Sequence, residues 1–225
     1  MKNYYSRKNS NYFNTSGRID LVDFLPKKGK LKILEIGASG GDTLLYLKNN
    51  NFADEVWGVD LFAQENSNQS NRAIDNFFIG DIEKMDLELF FEKEYFDVIL
   101  LPDVLEHLLD PWTMVEKINA YLKIDGVIIS SIPNIREFKT LFNLVFKADF
   151  KYDESGVLDK THLRFFCRKN IITLLTLQNL QVVNVCPSFE KHPLLRRKKI
   201  LNGLTFGLFK DFLAQQYIVV SLKTK

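Results

Sequence analysis

Only two cysteines and three histidines stand in a chain of 225 residues, and each scarcity excludes something. Cys167 and Cys186 are too few for a disulfide framework and lack the spacing of a zinc site, so a reducing cytoplasm is the expectation. Charge of one sign is also missing. Thirty basic residues against 28 acidic leave a net charge of +2, which gives no reason to expect nucleic acid as a partner. No apolar run reaches the roughly 20 residues that span a bilayer, and residues 1–18 are polar, without the apolar core of a secretory signal. Export and insertion are therefore not expected. Internal repeats and low-complexity segments are absent. With 46% hydrophobic and 26% charged residues, the composition is that of an ordinary globular chain, long enough for one sizeable core and short for two. A single domain over residues 1–225 is expected, opened by an N-terminal segment at 1–30.

From Leu31 onward, short β-rich apolar runs alternate with longer amphipathic ones, the pattern of βαβ units around a buried, mostly parallel sheet. Strands are expected at 31–36, 55–59, 76–79, 96–101 and 126–132, with the last two at 182–185 and 217–222. Leu44, Leu45 and Leu47 supply a helix after the first strand. Pro111 suits the first turn of another, whose apolar positions Met114, Val115, Ile118 and Leu122 recur at helical steps. A further helical pattern covers 171–180. Residues 134–170 break the rhythm and read as an insertion outside the sheet, a lid over the acceptor site.

Chemistry concentrates at the ends of the strands, where sheets of this kind bind ligands. In Glu35-Ile36-Gly37-Ala38-Ser39-Gly40-Gly41, a glycine turn after the first strand lets a cofactor approach the backbone at the positive end of the next helix. The spacing is not the G-x-G-x-x-G that cradles a pyrophosphate, and Glu35 would repel one. Its carboxylate instead suits an ammonium group, such as that on the methionine part of S-adenosylmethionine. About 25 residues on, Val59-Asp60-Leu61 places a carboxylate where the ribose of an adenosine cofactor would lie. Asp81, in Gly80-Asp81-Ile82, is positioned to accept from an adenine amino group while Ile82 packs on the ring. Each of these is also an ordinary turn residue when taken alone. Pro102 and Asp103 open the segment Leu101-Pro102-Asp103-Val104-Leu105-Glu106-His107-Leu108, expected to line the site. Asn134 would bring an amide to the same edge.

In this order, the glycine turn, the ribose carboxylate, Gly-Asp-Ile, Asp-Val-Leu-Glu-His and Ser-Ile-Pro-Asn make the chain resemble class I S-adenosylmethionine-dependent methyltransferases. The resemblance implies a Rossmann-like, seven-stranded, mostly parallel α/β sheet with its last strand antiparallel, flanking helices and a helical insertion after the fifth strand. More narrowly, Tyr152, Gly156, Leu158-Asp159 and Thr161-His162-Leu163-Arg164-Phe165-Phe166 resemble a bacterial group associated with polysaccharide and O-antigen biosynthesis. Ser39 departs from the family by standing where many relatives carry the middle glycine of the turn, with Gly40 displaced beside it.

The resemblance implies methyl transfer to a hydroxyl of a saccharide or glycan precursor. Such a hydroxyl needs a general base, and histidine is matched to neutral pH. His162, flanked by Asp159 and Arg164, is the first candidate for base or acceptor binding, with Asn134 and Tyr152 as further acceptor contacts. His107 is the second candidate; its structural alternatives are to orient Asp103 or to cap the helix after Pro111. His192 reads as a surface residue. The basic run Leu194-Leu195-Arg196-Arg197-Lys198-Lys199 suits an anionic acceptor, an acidic membrane surface or simply solvent. No metal site is expected, although Asp103 with Asp159 is a conceivable pair. Phe138, Phe142, Phe146, Phe150, Phe165 and Phe166 either wall the acceptor pocket or pack the insertion onto the sheet. Alternatives to O-methylation are N- or C-methylation of a metabolite and a catalytically silent cofactor-binding partner in glycan assembly. A nicotinamide enzyme is disfavoured by Glu35.

Overall fold

The computed structural model describes residues 17–177, 179–191 and 195–225. Seven strands form one sheet in the order β3-β2-β1-β4-β5-β7-β6: β1 (Leu31–Ile36), β2 (Ala53–Asp60), β3 (Asn76–Ile79), β4 (Phe96–Pro102), β5 (Leu122–Pro133), β6 (Leu180–Pro187) and β7 (Gln216–Lys223). The first five pair in parallel, and β7 runs antiparallel to both β5 and β6. Among the described residues the α-helices are α1 (Asp42–Asn49), α2 (Pro111–Asn119), α3 (Phe138–Lys147), α4 (Arg168–Leu174), α5 (Ser188–Lys191), α6 (Arg196–Leu204) and α7 (Lys210–Leu213). The resemblance predicts this architecture, and the sheet has it.

Alternation along the strands explains why the sheet is covered on both sides. On β4, Ile99 and Leu101 pack into one core with Leu34, Ile128 and the α2 residues Met114, Val115 and Ile118. Val98 and Leu100 pack on the opposite face with Ile33, Ile129 and the α1 residues Leu44 and Leu47. Strands apolar on both faces need such covering helices. Helix α2 begins where the sequence suggests: the Asp110 carboxylate accepts from the Thr113 N–H at 3.1 Å and Pro111 occupies the first turn, an arrangement suited to a helix N-terminus. It ends before Leu122, which opens β5 instead. The helical pattern at 171–180 also stops early, at Leu174, because Leu180 is recruited into β6 opposite Lys223.

Strand order reverses between β1 and β4, and the crevice outside their carboxyl ends is the expected ligand position in such a sheet. The segment after β5 contains α3, but the part that folds over the crevice is the irregular stretch at 155–162. Its downstream end is docked by the Leu163 and Arg164 N–H groups, which donate to the Glu106 carbonyl at 2.8 and 3.0 Å. Phe138, Phe142 and Phe146 neither wall the crevice nor pack onto the sheet; all three are exposed on α3. Phe166 is buried in the core, while Phe150 and Phe165 pack edge to face on one another.

Candidate active site

A cleft of about 1340 Å³ lies at this crevice, larger than the few hundred to ~1,000 Å³ of a typical single-ligand pocket. It has room for a cofactor and an acceptor together. Its walls include Glu35, Gly37, Ala38, Ser39, Asp60, Leu61, Asp81, Ile82, Pro102 and Asp103, and on the other side His107, Asp159 and His162. The strand ends thus bring together most of what the sequence singles out.

Gly37 takes φ +75°, and a Cβ there would stand 2.6 Å from the Val104 Cγ2, so the turn requires glycine. Ser39 holds the middle position at φ +48°. Three anchors fix it: its N–H donates to the Asp60 carboxylate at 2.7 Å, its carbonyl accepts from the Gln69 amide at 2.7 Å, and its hydroxyl accepts from the Gln64 amide at 3.1 Å. Gly40 does not take over the missing glycine's place. It is absent from the cleft wall and its carbonyl is turned to the Asn68 N–H at 2.8 Å. Of the expected cofactor residues, Gly40 is the one set back from the cleft wall.

Glu35 is 1% exposed, and its Oε2 has no hydrogen-bond partner. Burial pushes its carboxyl up to about 8, against the opposing pull of the Thr43 hydrogen bond and of Arg18. A buried, half-satisfied carboxylate on the cleft wall fits the ammonium of S-adenosylmethionine, which would complete its bonding. Asp60 is also raised by burial, opposed by the backbone N–H groups of Phe62 and Ser39. Those two bonds use one lone pair on each oxygen, leaving capacity for two ribose hydroxyls. Asp81 lines the cleft while paired with Lys84 at 2.6 Å.

Arg18 carries a role that the sequence did not suggest. Its guanidinium pairs with Asp103 and with Asp20, and donates to the Ser131 hydroxyl at 2.9 Å. It lines the cleft near Glu35, where a cation suits the carboxylate end of an amino acid. Nothing in the spacing marks it, because it precedes the first strand in a polar segment. Asp103, at φ +54°, is held by Arg18, the Ser131 hydroxyl and the Gln216 amide. That network leaves the conceivable Asp103–Asp159 metal pair without support, since Asp159 also accepts from the Thr161 N–H and hydroxyl at 2.8 and 2.6 Å.

His107 and His162 meet across the cleft, with ring centroids 4.7 Å apart. Each ring is fixed through Nδ1, which lies 3.1 Å from the Thr161 carbonyl for His107 and 3.0 Å from the Val157 carbonyl for His162. The cap of α2 is Asp110 and not His107. Glu106, 1% exposed beside them, is pushed well above the carboxylate range by burial and then by the neighbouring Asp103 charge. The sequence placed Glu106 in the lining segment without giving it a role; an acid next to a histidine was the available signal.

Three expected acceptor contacts lie elsewhere. Asn134 is wholly buried, its amide donating to the Asp211 and Ala214 carbonyls at 2.7 and 2.8 Å, so it ties β5 to the segment before β7. Tyr152 packs edge-on against the Phe150 ring and tilted against the Phe165 ring, outside the cleft. Arg164 reaches back to the Leu109 carbonyl and the Trp112 ring, bracing the turn before α2. His192 and Leu194 lie outside the described residues.

Comparison with known proteins agrees with the geometry. An O-methyltransferase of ubiquinone biosynthesis from Actinobacillus pleuropneumoniae is 28% identical over 140 residues, 57% of this chain and 58% of that protein. The chain thus spans a little over half the length of such curated relatives. Among solved structures, a SAM-dependent methyltransferase from Archaeoglobus fulgidus superposes with TM-score 0.58 at 20% identity, covering 91% and 92% of the two chains. An S-adenosylmethionine-dependent methyltransferase from Mesorhizobium loti gives 0.61 at 15% identity over 93% and 99%. These likenesses establish the fold. The family model described as "Methyltransferase domain" matches residues 8–185, and the chain belongs to that family of S-adenosylmethionine-dependent methyltransferases, with S-adenosylmethionine as its cofactor.

Proposed function

We propose that the protein transfers a methyl group to a hydroxyl oxygen of a saccharide or related small-molecule acceptor. The observation that carries this reading is the pair of cleft-lining imidazoles beside a buried carboxylate, because a hydroxyl, unlike an amine, must lose a proton to become a good nucleophile. When bound, S-adenosylmethionine supplies an electrophilic methyl on a sulfonium. Glu35 and Arg18 suit its ammonium and carboxylate, Asp60 its ribose, and Asp81 with Ile82 its adenine.

The chain's part in the reaction is to align the acceptor oxygen opposite the sulfur and exclude water. With the cofactor bound, its methyl would pass to the acceptor oxygen and leave the sulfur with the electron pair, while His162 and His107 would receive the hydroxyl proton on their side of the cleft. A carbonyl only accepts hydrogen bonds, so each Nδ1 carries the proton in its bond to Val157 or Thr161, and the unprotonated nitrogen of a neutral ring is Nε2.

The resemblance of residues 152–166 to polysaccharide-associated methyltransferases favours a saccharide. A second reading, a phenolic hydroxyl on a lipid-tailed acceptor, is favoured by the ubiquinone-biosynthesis relatives and by the exposed aromatic face of α3. For either lipid-linked acceptor, the partner proposed is an anionic membrane surface met by α3 and the basic α6. Among the described residues no helix is long and apolar enough to cross a membrane. The test is release of S-adenosylhomocysteine over a panel of sugar nucleotides, free sugars, lipid-linked glycans, polyprenylated catechols and amines. Turnover with sugars or glycans supports the first reading, turnover with catechols alone the second, and turnover with amines alone overturns both.

A further inference from the structure

Neither oxygen of the buried Glu106 carboxylate has a hydrogen-bond partner. Burying a carboxylate in that state is costly unless a cation reaches it. A proton alone does not resolve the problem, because the resulting hydroxyl would still need an acceptor, and the His162 Nε2 is 4.0 Å away, beyond hydrogen-bond range. The surroundings supply what a larger cation needs. One ligand atom from each of Glu106, His107 and His162 lies within 4.8 Å of the others. Both rings have Nδ1 on a backbone carbonyl, the outer contact that commonly orients a metal-binding imidazole for coordination through Nε2. All three residues line the cleft beside Asp103.

We propose that Glu106, His107 and His162 bind one divalent transition-metal ion whose open positions face the methyl acceptor. Two imidazoles and a carboxylate are a donor set for zinc, iron(II), cobalt(II) or manganese rather than for calcium or magnesium, which favour oxygen ligands. Ligands about 2.0–2.2 Å from a zinc ion stand closer to one another than 4.8 Å, so the three side chains contract by rotamer adjustment as the ion enters. Three protein ligands leave positions for the acceptor. An acceptor with two adjacent oxygens, a vicinal diol or a catechol, would chelate there, and the ion would lower the pKa of the coordinated hydroxyl. With the ion bound, His107 and His162 act as its ligands and no longer as bases, and the hydroxyl proton leaves to solvent before the oxygen attacks.

The catalytic half of this inference rests on the proposed O-methyl transfer, whereas ion binding can be measured without any acceptor. The full chain, stripped with a chelator, is titrated with Co²⁺ and followed by its visible absorption, then challenged with Zn²⁺. One Co²⁺ per chain, displaced by Zn²⁺, is expected, with affinity at least tenfold weaker in Glu106→Gln and in His162→Asn. Calorimetry with S-adenosylmethionine, within threefold of wild type, shows that the variants are folded. A wild-type chain that binds S-adenosylmethionine but takes up no stoichiometric Co²⁺ or Zn²⁺ overturns the proposal, as does unchanged ion affinity in both folded variants. Ion binding with no hydroxyl acceptor methylated under any loaded ion sinks the O-methyl reading and leaves the site standing. Undiminished methylation of a hydroxyl acceptor by the stripped enzyme removes the ion's catalytic role and leaves the O-methyl reading standing.

Discussion

Glu35 shows how a single residue couples stability to function. Its ordinary carboxyl value of 4.5 rises to about 8 in the fold, chiefly through burial, so between those values the folded chain holds a proton that the unfolded chain has released. Stability of the unliganded protein therefore falls as pH rises across that window and levels off above about 8. The shift corresponds to several kcal/mol by linkage. Comparing wild type with Glu35→Gln isolates the effect from Asp60 and Glu106, whose carboxyls shift the same way. In thermal unfolding from pH 5 to 9, the variant should match wild type at the acid end and exceed it at the alkaline end. Wild-type affinity for S-adenosylmethionine should rise toward pH 8, and the variant's should not. Parallel unfolding curves across the range would remove Glu35 from this role. The cleft-lining residues at the strand ends were legible because they follow strands at family-like intervals. Arg18 was not, since its place depends on a tertiary ion pair with Asp103. Asn134 was misassigned for a related reason: sitting at a strand end says nothing about which way an amide points, and two backbone carbonyls capture this one.

Among the elements, the β1-turn-α1 unit is the most constrained, and the reason lies in its backbone. Gly37 and Gly41 at φ +75° and +82° let the chain double back so that the Gly37 and Ala38 N–H groups both donate to the Val59 carbonyl, at 2.8 and 3.0 Å. This ties the turn to the end of β2. Gly37→Ala would combine a left-handed backbone with a Cβ 2.6 Å from Val104, a cost of about 2–4 kcal/mol from backbone strain and overpacking together. Thermal unfolding should show a fall of about 5–15 °C for a chain of this size, with weakened cofactor binding, and an unchanged midpoint would refute the steric argument. Strand positions could be read from apolar runs because the central strands β1, β4 and β5 are buried along most of their length, whereas the edge strands β3 and β6 are only partly covered. Strand and helix ends could not: Leu122 has the spacing to extend α2 but pairs with Phe96 in the sheet. The substitution of Ser39 for glycine was visible, while the Gln64 and Gln69 side chains that hold it lie in the connection from β2 to β3, Gln69 on a short 3-10 turn at Asn68–Ser70, whose path sequence does not specify.

At the scale of the molecule, apolar surface is distributed unevenly. On α3, Phe138, Phe142 and Phe146 follow one another at four-residue steps, with centroids 5.8 and 5.1 Å apart, and Phe146 is 75% exposed. From the end of α6 to the start of α7, Leu204, Phe206, Leu208 and Phe209 are exposed as well. The root of α3 is joined to α7 through Arg136, which pairs with Asp211 at 3.3 Å and lies over the Phe212 ring. Lys139, Lys147, Arg196, Arg197 and Lys199 are exposed on the same helices. Aromatic side chains interleaved with basic ones suit the boundary of an anionic bilayer, where rings enter the acyl edge and cations meet the headgroups. The chain should therefore sediment with phosphatidylglycerol-containing vesicles and not with pure phosphatidylcholine, and high salt should release it, since screening shortens the reach of the headgroup charge. Replacing Phe142 and Phe146 together by serine should weaken vesicle binding by tenfold or more, because each buried ring is worth about 1.5–3 kcal/mol, while leaving affinity for S-adenosylmethionine intact. Failure to pellet with either vesicle would dismiss the membrane assignment, and concentration-dependent dimerisation lost in the same double variant would reassign the face to a second copy of the chain.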